Sequence, residues 1–273
     1  EYLLESLAKV PVEVEYSTEV VCKEPMLGPG DVMIAVSQSG ETADTLTALR
    51  FAASRGALTL GMVNVVGSGI ARETDAGVFI HVGPEIGVAS TKAFTGHLTA
   101  FVLLGIYLGG LRGNLDVGRA KRILKELGRI PAYIESILAR NEEIREIARI
   151  YSESSNFLYL GRGINFPVAL EGALKLKEVS YIHAEGIPSA EMKHGPISLV
   201  DDTMPVLFIL SKGDGSTRVL GNMEEIRARK GRILAIVPEG EERAGEYADH
   251  LIRVPEVQEL LSPFLNVIPL QLL

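Results

Sequence analysis

Short apolar runs alternate with segments of helical period along most of the chain, and this alternation predicts an α/β protein built on parallel sheets. In the first half, strands are expected at Val12–Tyr16, Val32–Val36, Leu58–Val63 and Gly77–His81, with helices over Thr42–Arg55 and Ser90–Gly109. A charged helical stretch from Val117 to Ile150, interrupted at Pro131, has no strand signal and reads as a connector. The second half then repeats the first, with strands at Phe157–Gly161, Met204–Leu210, Arg232–Val237 and His250–Val254. Its helices are expected at Pro167–Ser180, at Thr217–Arg229 and from Glu256 onward. The copies correspond best in DVMIAVSQSGETADTL and TMPVLFILSKGDGSTRVL, where a hydrophobic strand runs into a Ser/Gly turn and then a helix. Residues 1–116 therefore read as a first subdomain, 117–150 as the connector and 151–273 as a second subdomain.

Composition narrows the function classes. With 273 residues, 47% of them hydrophobic, the chain can fill two cores of about 100 to 150 residues each. A formal net charge of -8 supplies no basic field for a nucleic acid, so an anionic ligand must be held locally. The uncharged stretch from Ala93 to Leu111 approaches the ~20 residues of a membrane span. It carries Thr95, His97, Thr99 and four glycines between strand-like segments, and no second such stretch exists, so a buried helix is expected and not a membrane role. The single cysteine, Cys22, can form no internal disulfide, lies in no zinc-type spacing and reads as a buried small hydrophobe in a reducing cytoplasm. No signal peptide is visible before Glu1, and the first residues already read as helix interior, as in a piece of a longer protein.

The candidate chemistry gathers at a few places. Ser37, Gln38, Ser39, Gly40 and Thr42 stand between a strand and a helix start, where hydroxyls and free amides converge on one point suited to a phosphate monoester. An ordinary N-cap by Ser39 or Thr42 is the competing reading, although a cap needs only one of these groups. The second copy offers Ser211, Lys212, Asp214 and Ser216 instead, and Asp214 would repel an anion. The turn EIGVASTKAF brings Ser90 and Thr91 to the next helix start, either to close the same site or simply to cap. No Walker or GxGxxG pattern is present. On the helix Pro167–Ser180, Glu171, Lys175 and Glu178 fall within roughly a 60° arc. Flanked by Val168, Leu174 and Val179, this stripe faces either a cleft, where a tuned carboxylate moves protons, or water, where it gives only helix pairing. The segment HAEGIPSAEMKHGP reads as a loop holding His183, Glu185 and His194, the last being the better acid/base candidate. No helix-spaced ligand pair supports a metal there.

SQSGETADTL, EIGVASTKAF, LGRG, EGALKLKEVSYIHAEG and EMKHGP, in this order, resemble the isomerase domains of the glucosamine-6-phosphate synthase family, within the sugar isomerase (SIS) superfamily. The resemblance runs essentially end to end. It implies two tandem flavodoxin-like (SIS) subdomains, an aminotransferase (isomerizing) activity of the aldose-ketose type, fructose 6-phosphate as substrate and glucosamine 6-phosphate as product, without cofactor or metal. By position, Ser37, Gln38, Ser39 and Thr42 would hold the phosphate, and Val88 and Ser90 would line the sugar site. Glu178 would shuttle a proton between C1 and C2 with Lys175 beside it, and His194 would open the ring in the neighbouring subunit of a homodimer. The resemblance further implies a glutaminase domain, a strand with a Gly-Thr-Ser turn before Glu1, and a short tail with a Schiff-base lysine after Leu273. A free-standing relative that deaminates or deglycates an amino-sugar phosphate is the alternative, and a non-catalytic sugar-phosphate sensor is a third reading against which Glu178 stands.

Overall fold

In the computed structural model, which describes residues 1–213 and 215–273, the chain divides into two units, Glu1–Val117 and Gly118–Leu273. The first contains α1 (Tyr2–Ala8), α2 (Ser17–Lys23), β1 (Val32–Ser37), α3 (Ala43–Ser54), β2 (Leu58–Val63), α4 (Gly69–Glu73), β3 (Ala76–Phe79) and α5 (Lys92–Leu111). Its strands form a parallel sheet in the order β1-β2-β3, with Val32 opposite Leu58 and Leu60 opposite Ala76. Ala35, Leu49, Val63 and Ile70 make the core beneath the carboxyl ends of β1 and β2. Asp75 fastens the start of β2: its carboxylate accepts from the Thr59 amide at 2.9 Å and the Thr59 hydroxyl at 2.7 Å, and its own amide donates to the Thr59 carbonyl. The Thr59 amide, and after it the hydroxyl, hold the Asp75 carboxyl below the ordinary carboxylate value.

Three expectations fail in this unit. Val12–Tyr16 forms no strand, and Val14 and Tyr16 are exposed. Its alternating pattern suits a half-buried strand, but a strand exists only when a neighbour takes its hydrogen bonds, and the described residues place none beside it. Helix α5 is not sealed inside the unit: Ala93, Val102, Gly105 and Gly109 are buried, whereas Leu103, Tyr107 and Leu111 are exposed. Gly105 and Gly109 admit α1, since a Cβ would lie 2.8 Å from the Leu7 side chain at Gly105 and 2.3 Å from the Leu7 carbonyl at Gly109. That contact covers one stripe only, of a helix long and apolar enough to cross a membrane by length and composition. Cys22 lies exposed on α2, whose only buried residue is Val20.

The second unit contains α6 (Val117–Leu127), α7 (Ile130–Leu138), α8 (Asn141–Tyr151), β4 (Asn156–Gly161), α9 (Asn165–Ser180), β5 (His183–Pro188), β6 (Pro205–Ile209), α10 (Ser216–Ala228), β7 (Arg232–Pro238), β8 (His250–Val254) and α11 (Ser262–Leu272). The helices over 117–151 group with this unit, where α11 packs on α7, α8 and α9. The stretch is interrupted at Gly128 and Arg129, just before Pro131, which stands in the first turn of α7, as its fixed φ and missing N–H allow. Likewise α11 starts at Ser262, with Pro263 in its first turn, and not at Glu256. The five strands are parallel in the order β5-β4-β6-β7-β8, the flavodoxin-like arrangement of a doubly wound sheet. Leu158, Leu160, Val206, Phe208, Ile233 and Ala235 lie in one core, as expected of central strands covered on both faces. Asp249 repeats the device of Asp75, accepting from the Ile233 amide at 2.7 Å and donating its own amide to the Ile233 carbonyl.

His183–Pro188, expected as loop, is an edge strand paired with β4 from Asn156↔His183 to Gly161↔Pro188. Gly186 is not a breaker there but a point of close approach, because a Cβ would lie 2.8 Å from both the Cα and the amide nitrogen of Leu170 on α9. Backbone cannot yield as a side-chain tip does. Gly186→Ala is expected to destabilise the second unit by about 2 kcal/mol or more, read from the shift of its urea unfolding midpoint.

Candidate functional site

The carboxyl end of β1 leads through Gln38–Glu41 to Thr42, the residue preceding α3. This turn is fixed from three sides: the Ile70 amide donates to the Gly40 carbonyl at 2.9 Å, the Gly69 amide to the Glu41 carboxylate at 2.8 Å, and the Asn64 amide to the Gln38 carbonyl at 3.2 Å. Gly40 has φ +69°, and a Cβ there would lie 2.1 Å from the Ser68 hydroxyl, so both conformation and space require glycine. Inside the turn the Gly40 amide donates to Ser37 Oγ at 3.0 Å and the Glu41 amide to Ser39 Oγ at 3.2 Å, while Ser37 Oγ and Thr42 Oγ1 lie 3.3 Å apart. Thr42 makes no side-chain cap. A cap by Thr42 therefore fails, whereas Ser37 and Ser39 each satisfy one amide of the turn, and the three hydroxyls and two amides gather at the end of a parallel strand, the setting in which backbone amides receive anions.

The loop between β3 and α5 is fastened beside this turn. Asn64 donates from Nδ2 to the Gly83 carbonyl at 2.8 Å and accepts from the Val82 amide at 3.0 Å. Glu85 caps α5, accepting from the Thr91 amide at 2.7 Å and from the Ala93 amide at 3.4 Å. Burial works to raise the Glu85 carboxyl, but the Ser90 hydroxyl and the amides of Thr91, Ala93 and Lys92 together outweigh it and hold it below its ordinary value. Ser90 thus serves Glu85, and Val88 is 98% exposed. On α5, His97 places Nε2 3.3 Å from the Met62 carbonyl, with the backbone of Ala93 and Ser37 as further partners. Glu85, Asn64 and His97 escaped sequence reasoning as site residues. Only an acid seven residues before the first residue of α5 could have singled out Glu85.

In the second unit the helical stripe is real: it is largely buried at Lys175 and Glu171 and opens to solvent at Glu178. Lys175 Nζ lies 2.6 Å from Glu178 Oε2 and 3.6 Å from Glu171 Oε1, with side chains 7% exposed for Lys175, 14% for Glu171 and 33% for Glu178. Glu178 is the accessible member of the three and accepts from the Lys175 ammonium. His194 closes the 3-10 turn Glu191–His194 just before Gly195 (φ +148°) and is exposed. Among the described residues no hydrogen bond or ion pair joins His194 to Lys175 or Glu178. His183 Nδ1 sits 3.2 Å from Asn156 Oδ1 on the neighbouring strand, and no group of three metal-ligating side chains occurs among the described residues. The counterpart turn after β6 is engaged with the protein itself. Ser211 accepts from Asn165 at 3.0 Å, Lys212 pairs with Glu256 at 2.6 Å and Ser216 donates to the Gly213 carbonyl. Asp214 lies outside the described residues.

A family model described as SIS domain matches residues 1–107 and 150–273. Glutamine--fructose-6-phosphate aminotransferases [isomerizing] from Bacteroides thetaiotaomicron and Chlorobaculum tepidum are each 50% identical over 100% of this chain and 44% of their own length. The chain thus spans less than half the length of these relatives. Among solved structures, the C-terminal domain of glucosamine-fructose-6-phosphate aminotransferase from Francisella tularensis superposes with a TM-score of 0.94 at 36% identity, covering 99% of this chain and 77% of that one. A glucosamine-6-phosphate deaminase from Thermotoga maritima superposes with a TM-score of 0.77 at 22% identity over 99% of this chain and 77% of that one, a likeness of fold alone.

Proposed function

The chain belongs to the SIS domain family, and from that premise we propose that it is the sugar-phosphate isomerase half of a glutamine--fructose-6-phosphate aminotransferase. The observation that carries this reading is the Ser37–Thr42 turn, whose hydroxyls and amides face one another while Thr42 leaves the start of α3 uncapped. Ser37, Ser39, Thr42 and the backbone at Gln38 and Gly40 bind the phosphate of fructose 6-phosphate by replacing these mutual contacts, with Val88 and Ser90 beside the sugar. Glu178 takes a proton from C1, carries it as the neutral acid and returns it at C2, with Lys175 beside it. His194, exposed on its own subunit, opens the ring in the neighbouring subunit of a homodimer. In the full-length protein a glutaminase domain delivers ammonia, and the product is glucosamine 6-phosphate for amino-sugar synthesis in the cytoplasm. The deaminase or deglycase alternative has less support, since the 50% identical relatives are aminotransferases and the deaminase likeness is one of fold.

Replacing Ser37 and Thr42 together by Ala is expected to weaken fructose 6-phosphate binding at least tenfold, or about 1.4 kcal/mol. Titration calorimetry measures it, and unchanged affinity would remove this turn from the phosphate site.

A further inference from the structure

We propose that His97 is a positioning residue of the phosphate turn, and that occupation of the turn by a dianionic ester is coupled to proton uptake on its imidazole. The inference rests on the phosphate-binding reading above. It starts from packing: a Cβ at Gly96 would lie 2.6 Å from the Val82 side chain, so α5 runs close against the segment that follows β3, and the next residue is held near the carboxyl end of β2, where Met62 pairs with Val36 of β1. There Nε2 is 3.3 Å from the Met62 carbonyl, and the backbone of Ala93 and of Ser37 also engages the ring.

All three partners favour the protonated ring. A neutral imidazole has one N–H and one lone pair, whereas the imidazolium has two donors and no lone pair. Burial opposes this, and in the ligand-free chain burial prevails, keeping the ring below its ordinary histidine value against Met62, Ala93, Glu85 and Ser37. Of the charged groups nearby, Glu85 favours the cation but is engaged with the start of α5. Lys92 reaches the Pro84 carbonyl at 2.6 Å, and Glu41 is tied to the Gly69 amide. What would tip this balance is negative charge in the turn that begins at Ser37. A protonated His97 then donates to the carbonyls of Met62 and Ser37, holds the first residue of the turn in place, and sets a positive charge behind the bound dianion.

The sign follows from linkage. His97 is neutral in the free protein above its lowered value and protonated in the complex, so binding consumes protons, and affinity falls as pH rises through the complex's own titration. The test is calorimetry of fructose 6-phosphate binding to the full-length protein at about pH 7.5, in buffers of different ionisation enthalpy. Uptake of about half a proton or more is expected for the wild type, and none for His97→Gln, which keeps a donor and should bind with a flattened pH profile. The His97 ring proton resonance of the wild type should also move to the imidazolium position on saturation. Measurable binding without uptake and without that movement overturns the coupling. Equal uptake in the variant assigns the proton elsewhere and overturns it too. Absence of wild-type binding instead refutes the phosphate site on which it rests.

Discussion

Glu178→Gln in the full-length protein is expected to slow exchange of solvent tritium into the sugar by at least ~100-fold, the usual contribution of a positioned general base. The amide has the size of the carboxylate and keeps an oxygen able to accept from Lys175 Nζ, now 2.6 Å from Glu178 Oε2. What it loses is the capacity to hold a proton between removal and return. The proposed phosphate turn lies at the end of β1 and contains no part of α9, so affinity for fructose 6-phosphate should stay within about twofold, and the loss should fall on turnover. Normal exchange in the variant would exclude Glu178 from proton transfer. A parallel collapse of binding would show that its charge recognises the ground state.

Lys175→Met should cost about 3 kcal/mol of second-unit stability, because it keeps the buried stem and deletes a cation shared by two carboxylates. Removing one partner of a buried pair leaves the other desolvated without compensation. The partial exposure of Glu178 lets that side chain turn to water, which places the estimate at the lower end of the ~3–5 kcal/mol range. Urea unfolding of the chain, followed by a probe in the second unit, measures the change. A loss below about 1 kcal/mol would mean that the ammonium is solvated as on any helix surface.

Where side-chain pattern alone decides an element, the sequence predicted it well: β2 and β8 match their expected limits, and β1, β4, β6 and β7 lie within a residue or so of theirs. Pattern fails where pairing decides. Val12–Tyr16 has the alternation of a strand and no neighbour, whereas His183–Pro188 carries a glycine and a proline and is nonetheless held by β4. Gly186 shows why, since its missing side chain serves the helix above the strand and not a bend within it. The same division runs through the candidate site. Ser37, Ser39 and Thr42 announce themselves by density, and Glu171, Lys175 and Glu178 by helical spacing. His97 gives no such signal, because its contact with Met62 joins residues 35 apart and exists only once α5 lies against the sheet.

Asp75 and Asp249 grip equivalent strands in the same way, one in each unit, and neither belongs to a ligand turn. A holding contact indifferent to chemistry, recurring at the same topological address, is most simply inherited from one ancestral gene that duplicated and fused. After that event the two copies were free to diverge: in one, the hydroxyls of the first turn meet each other and their own amides, whereas in the other the matching turn is tied down by Asn165 and Glu256 from elsewhere in the unit.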